Sequence, residues 1–331
     1  QLDGALPNLA LMKLAHWHRA KGDAVTLTRQ IERDLFEPAY DKVYASAIFG
    51  FSQDRLMRFD GLRFAASLIF RRDSALILEP LRMGKNTTIS WCDSTWNPWI
   101  GCTKVGPGCD NCYAEALMDK RWHKVRWGAG QQRERTSAAN WRQPLLWERE
   151  HAAFALMHER RRRVFCASLA DVFDNAVPAE WRADLFALIA ATPHLDWLLL
   201  TKRIGNVAGM APAGGLPANV WLGATVVNQE EFDRDARKLL AVPASVRFLS
   251  VEPMLGQIHG VPSIGAFDWV IVGGESGHGA RPINPEWVAS MADQCAWYSV
   301  PFFFKQWGGK SAAAGGCELA GAEVKAWPVA A

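Results

Sequence analysis

The chain has 331 residues, 49% hydrophobic and 21% charged, with a formal net charge of +3, the profile of a globular protein with one large domain or two ordinary ones. That charge is too small to demand a polyanionic partner by itself, and no apolar run reaches the length of a membrane span. Seven cysteines, at 92, 102, 109, 112, 166, 295 and 317, form an odd set with three crowded into residues 102–112; this argues against a disulfide framework and for a metal site in a reducing cytoplasm.

In residues 1–82, Leu9 to Ala20 has helical spacing that Lys21-Gly22-Asp23 ends, and Ala24-Val25-Thr26-Leu27 and Lys42 to Phe49 read as strands. A helix between two strands predicts a partial Rossmann-like segment. It resembles the start of the cobalamin-binding-like domain that precedes some radical enzymes. There is no Asp-x-His-x-x-Gly segment for a cobalt-ligating His, so bound cobalamin is not expected. The chain begins with Gln1, and residues 60–82 fit no element. The segment is therefore read as truncated, or as joined at a junction near Met83-Gly84-Lys85, which looks like a translation start; an ordinary interdomain linker is the plain alternative.

From residue 86 a rhythm begins, and residues 83–331 read as one further domain. Short apolar runs recur at Ile89-Ser90-Trp91, Val164 to Ser168, Trp197 to Leu200, Val220 to Gly223, Val246 to Val251, Trp269 to Val272 and Pro301 to Phe304. Helical patterns at Ala179 to Ala191, Gln229 to Leu240 and Pro285 to Trp297 separate several of them. Apolar strands alternating with helices predict parallel strands buried on both faces, hence an α/β fold with a complete or partial (β/α) barrel of the TIM-barrel kind. The residues beyond these runs are polar: Asp171, Thr201-Lys202-Arg203, Thr225, Glu252, Gly273-Gly274-Glu275-Ser276 and Lys305-Gln306. Strand C-termini face the active site in such barrels, so these ends predict a catalytic face.

Within that domain runs Asn97-Pro98-Trp99-Ile100-Gly101-Cys102, six residues, then Cys109-Asp110-Asn111-Cys112-Tyr113-Ala114. Cys109 and Cys112 have chelating spacing, and Gly106-Pro107-Gly108 lets the loop fold back to bring in Cys102. Three thiolates on a [4Fe-4S] cluster leave one iron open for a cofactor. On spacing alone, zinc with His123 or Cys92 as a fourth ligand stands level with it. The motif's place after the first strand of a repeating β/α pattern favours the cluster.

The cysteine run, together with Leu200-Thr201-Lys202-Arg203, Val251-Glu252-Pro253-Met254, Gly273-Gly274-Glu275-Ser276 and Lys305-Gln306-Trp307-Gly308, resembles an uncharacterised phage-associated three-cysteine-motif family. The cysteine loop is also similar to that of radical S-adenosylmethionine proteins of the spore photoproduct lyase-like type. The resemblance implies a radical S-adenosylmethionine barrel, an iron–sulfur cluster on Cys102, Cys109 and Cys112, S-adenosylmethionine as cofactor, and a reductant such as flavodoxin or ferredoxin. Two departures stand out. The superfamily usually places three residues between its first two cysteines and an aromatic before the third, where this chain has six residues and Asn111.

Other residues take their roles from that reading. Gly273, Gly274 and Glu275 are candidates for cofactor contact, against a plain tight turn. Thr201, Glu252 and Lys305 are further cofactor-contact candidates, with a structural ion pair as the alternative for Glu252. Lys202 is a candidate catalytic group; it and Lys305 could meet a carboxylate or phosphate, with ordinary solvated lysines as the alternative. Cys166 is the candidate hydrogen donor, since spore photoproduct lyase uses a cysteine so, against a plain core cysteine. Residues 118–163 hold twelve Lys and Arg against five Asp and Glu, with Trp122, Trp127, Trp141 and Trp147 interleaved, which suits a nucleic-acid partner or a solvated helical face. The leading expectation is an iron–sulfur enzyme that reductively cleaves S-adenosylmethionine, acting on nucleic acid. The alternative is a zinc-stabilised, nucleic-acid-binding phage accessory protein without redox chemistry.

Overall fold

The computed structural model describes residues 87, 89–260, 262–311 and 313–328, together with the backbone of Tyr44–Ala45 paired antiparallel with Leu68–Ile69. The rest of the expected Rossmann-like segment lies outside the described residues. The chain divides into two compact units, residues 1–84 with 152–160, and residues 85–151 with 161–331.

In the second unit the apolar runs form seven strands: β1 (Ser94–Thr95), β2 (Arg162–Cys166), β3 (Leu195–Thr201), β4 (Val220–Thr225), β5 (Val246–Val251), β6 (Trp269–Gly273) and β7 (Phe302–Gln306). All pair in parallel, and their order across the sheet is their order in the chain. A sequential parallel order with right-handed crossovers keeps every helix on one face, so the sheet curls as a barrel wall rather than lying between two helical layers. The fold is mixed α/β, a partial barrel of seven strands. The four helices of twelve or thirteen residues among the described residues are α1 (Ala138–Arg149), α2 (Ala179–Ala190), α3 (Gln229–Leu240) and α4 (Pro285–Trp297).

Strand alternation divides the core in two. Trp197 and Leu199 of β3, Leu222 of β4, Leu249 of β5 and Val270 of β6 face the helices, with Leu185, Ile189, Leu239 and Val288. Leu198, Trp221, Phe248, Trp269, Ile271 and Phe303 face inward and fill the barrel with Trp91 and Phe165. Trp91 packs at a tilt on Phe165, centroids 4.5 Å apart, and Trp269 meets Phe303 edge-on at 6.1 Å. Burial of each such ring contributes about 1.5–3 kcal/mol. Gly223 is required beside them, because a Cβ there would overlap the Phe248 ring. Helix ends obey local rules: Asn228 caps α3 by accepting from Glu231 N at 2.9 Å, with Glu230 and Glu231 in its first turn and Arg237 and Lys238 in its last, which complements the helix dipole.

One expected strand is displaced. Ile89-Ser90-Trp91 is a turn, with Cys92 N donating to Ile89 O at 3.4 Å, and Trp91 is drawn into the inner aromatic cluster. The edge strand is Ser94–Thr95 instead, in register with Val164 and Phe165. No helix among the described residues is long and apolar enough to cross a membrane.

Candidate metal centre

The cysteine loop leaves β1 through Trp96-Asn97-Pro98. Asn97 fixes its exit, accepting from Leu169 N at 2.7 Å and donating to Ser168 Oγ at 3.0 Å. Trp99–Ile100 then pairs antiparallel with Glu134–Arg135. Gly101 comes next at φ +110°, and a Cβ there would lie 3.1 Å from Arg133 Cδ, so both the backbone angle and the space select glycine. After Cys102 the Gly106-Pro107-Gly108 segment enters a single 3-10 turn, Pro107–Cys109, in which Cys109 N donates to Gly106 O at 2.9 Å. Cys112 stands at the N-cap of a one-turn helix, Tyr113–Glu115, that continues as a π-helical segment, Ala116–Arg121. Cys109 is buried; Cys102 and Cys112 are half-buried. The loop thus carries all three thiols over the C-terminal edge of the sheet, with Gly108 packed against Val227, Lys202 and Pro253, which lie just past β4, β3 and β5.

Three arginines fasten it. Arg203, just past β3, donates to Asp171 Oδ2 at 3.0 Å, Thr103 O at 2.6 Å and Cys102 Sγ at 3.5 Å. Arg133 donates to Asp174 Oδ2 at 2.6 Å and Thr103 Oγ1 at 2.7 Å. Arg281 grips both oxygens of Glu275, at 2.9 and 2.6 Å, and reaches Asp110 Oδ2 at 3.0 Å and Pro107 O at 2.8 Å. Asn111 donates to Glu275 Oε2 at 2.9 Å and Gly279 O at 3.0 Å. The amide thus ties the loop to the segment after β6.

Electrostatics are set by burial. Burial pushes the Cys102 thiol up to about 11, with the Asp171 charge adding and Arg203 opposing. Burial also raises Cys112, against backbone N–H groups of Glu115 and Ala114 and the nearby Lys202 ammonium. Glu275 falls below the ordinary glutamate range: burial pushes it up, but the hydrogen bonds from Arg281 and Asn111 outweigh that. The three sulfurs do not all lie within 4.8 Å of one another; Glu148, His151 and His194 are the one trio of His, Cys, Asp or Glu among the described residues whose ligating atoms do.

The other expected residues divide by what they touch. Thr201 donates its hydroxyl to Asp171 at 2.8 Å and is fully engaged in the loop's support. Glu275 is likewise engaged as a clamp. Gly274 passes so close to the Trp307 carbonyl that no side chain fits, and Gly308 packs as tightly against Glu275 O; the segments after β6 and β7 interlock there. Gly273 ends β6 beneath Lys305 and Glu252, which pair with each other. Lys202 is half-buried, and its Nζ has no hydrogen-bond or ion-pair partner among the described residues. Thr225, inward-facing at the end of β4, is 2% exposed and its hydroxyl has no partner among the described residues. Cys92, a candidate fourth ligand for zinc, is held near Ile89 with its Sγ 3.7 Å from Ile89 O, while burial pushes its thiol up to about 12. Cys166 is not brought to the mouth: it is fully buried on the helix-facing side of β2, among Val164, Val172 and Leu199. Arg281, Arg133 and Asp174 were not foreseen, because nothing in their local sequence marks a partner more than forty residues away.

Among curated proteins, none matches the chain in sequence. A solved structure of a spore photoproduct lyase double mutant with bound AdoMet and dinucleoside spore photoproduct is similar at 12% identity and a TM-score of 0.37, over 59% of this chain and 59% of that one. The chain thus spans about three fifths of that protein's length. Residues 86–328, nearly the whole of the barrel unit, match the model of a family described as a protein of unknown function (DUF5131), and the chain belongs to that family.

Proposed function

We propose that the chain is an iron–sulfur enzyme that uses S-adenosylmethionine to start radical chemistry on a nucleic-acid substrate. The observation that carries this is the arrangement of three thiols on one fastened loop over the C-terminal edge of a parallel barrel, beside a lysine whose ammonium has no partner among the described residues.

In this reading Cys102, Cys109 and Cys112 hold the cluster. Bound there, such a cluster would supply the electron for reductive cleavage of S-adenosylmethionine, the chemistry that would start the radical reaction. The protein's own residues supply the rest. Arg203 donates toward Cys102, and the N–H groups at the start of the Tyr113 helix favour the Cys112 thiolate. Lys202 offers an ammonium to a carboxylate, and Thr225 a hydroxyl to a cofactor polar atom. Trp91, Phe165 and Phe248 fill the barrel interior with buried apolar rings. Beyond Cys112, Lys120, Arg121, Trp122, His123, Lys124 and Arg126 are six exposed side chains, four of them Lys or Arg, with Trp122 55% exposed. Cations for phosphates and an indole for stacking suit a nucleic-acid strand. A one-electron donor of the flavodoxin or ferredoxin class completes the scheme.

The test is anaerobic reconstitution, iron and sulfide analysis, and chemical reduction with S-adenosylmethionine. The parent should release 5′-deoxyadenosine and Cys109→Ala should not. A fully loaded four-iron protein that yields none would refute the radical reading; a cysteine loop that takes one zinc and no iron would replace it with a zinc-stabilised binding module.

A further inference from the structure

At the opposite edge of the sheet, where β3 begins, a second group of metal-ligating side chains converges. His194 immediately precedes β3, Glu148 lies in the last turn of α1, and His151 comes two residues after α1. The two imidazoles stack with centroids 3.8 Å apart and planes within 13°. Glu148 holds both. Its backbone carbonyl lies 2.7 Å from His151 Nδ1, and its carboxylate Oε1 lies 2.5 Å from His194 Nδ1 while Oε2 accepts from His194 N at 3.1 Å.

A carbonyl oxygen can only accept, so His151 Nδ1 is the donor there. An ionised carboxylate imposes the same on His194. In the neutral rings, each Nε2 therefore carries the lone pair. A ring whose Nδ1–H is fixed by a carbonyl or carboxylate, leaving Nε2 to ligate, is the usual support of a metal-binding histidine. One ligating atom from each of the three residues lies within 4.8 Å of the others; turning either ring out of the stack would let both Nε2 lone pairs converge on one ion, and His194 is half exposed, so an ion has access. Imidazole pairs suit zinc, nickel(II) and copper(II) rather than magnesium or calcium.

We infer that Glu148, His151 and His194 form a binding site for a divalent transition-metal ion, separate from the cysteine centre. His151 and His194 are its nitrogen ligands, Glu148 orients both rings, and water fills the remaining positions. A bound ion staples the end of α1 to the start of β3, residues more than forty positions apart, and so stabilises the barrel unit when saturated. A second consequence is that zinc counted per chain does not report on the cysteines unless this site is accounted for.

Nickel(II) is the probe, titrated calorimetrically into chelator-washed, cluster-loaded protein. The parent should bind one equivalent, with imidazole scattering at the nickel absorption edge and a rise in the thermal midpoint. His194→Gln and His151→Gln should each weaken binding at least tenfold and remove the rise, while Cys317→Ala leaves both intact. Unfolding midpoints without metal check that the variants are folded. Saturable binding that neither histidine variant alters, or no saturable binding in the parent, overturns the site.

Discussion

Replacing Arg281 with Met should loosen the cysteine loop from the segment after β6, and its cost can be worked from the contacts. The guanidinium makes two hydrogen bonds to Glu275, one to Asp110 and one to Pro107 O. The Glu275 side chain is only 5% exposed, whereas Arg281 is 32% exposed. Breaking a fully buried pair costs roughly 3–5 kcal/mol, and a hydrogen bond to a charged group is worth about 1.5–3 kcal/mol. Water reaches part of this arginine and replaces part of the loss, so we expect about 2–3 kcal/mol. For a unit of this size that lowers the thermal midpoint by roughly 5–10 °C. The pH dependence gives a second readout. Glu275 titrates below its ordinary value near 4.5 because of Arg281 and Asn111, which outweigh burial. Its stabilising share is therefore present above that value and is lost as pH falls through the lower, folded value. The variant should lose that acid-limb dependence and load less iron at equal reconstitution. A midpoint within about 1 °C of the parent, with an unchanged acid limb, would show that this clamp does not hold the loop.

The same geometry sets three further outcomes. Cys102→Ala, Cys109→Ala and Cys112→Ala should each abolish four-iron loading by absorbance and iron analysis, while Cys317→Ala, whose thiol meets only Glu323 and Lys325 among the described residues, should load fully. Arg203→Lys keeps a cation but loses the forked reach to Asp171, Thr103 and Cys102, so voltammetry of the loaded protein should show a more negative cluster potential, since N–H donation to sulfur favours the reduced state; an unchanged potential would discount that bond. Thr225→Val removes a buried hydroxyl that has no partner among the described residues, so the ligand-free protein should gain about 1 kcal/mol in denaturant unfolding while its affinity for S-adenosylmethionine falls. Equal affinity would remove Thr225 from the cofactor site.

The barrel was legible because its strands are buried on both faces and its helices are not. Val246–Val251, Gln229–Leu240 and Pro285–Trp297 have the bounds their apolar patterns predict. The first strand was misplaced because Ile89 and Trp91 are apolar for a different reason: the indole plugs the barrel floor while the edge strand is the polar pair Ser94–Thr95. Residue type identified the mouth but not the duties within it. Thr201, Glu275 and Gly274 carry the polar or small side chains of a ligand site, yet here they brace the cysteine loop and interlock two loops. Cys166 shows the limit most plainly. Its place at the end of an apolar strand leaves the mouth and the core both open; strand alternation turns it toward the helices, and a shift of one residue decides the face.

The arginines around the cysteine loop bring little net charge to it. Arg203 is matched by Asp171, Arg133 by Asp174, and Arg281 by Glu275 with Asp110. Each pair gives the loop directional N–H donors while leaving the local charge near neutral, which suits positioning rather than attraction. Lys305 is likewise balanced by Glu252. Lys202 differs: its ammonium is close enough to favour the Cys112 thiolate and has no ion-pair partner among the described residues. An uncompensated, half-buried cation is costly unless an anion completes it. In the proposed reading the thiolates of a loaded cluster would supply one such anion, and the carboxylate of S-adenosylmethionine a second. Of the candidate residues, Lys202 is therefore the one whose charge no neighbouring carboxylate answers and whose removal should cost cofactor cleavage more than it costs stability.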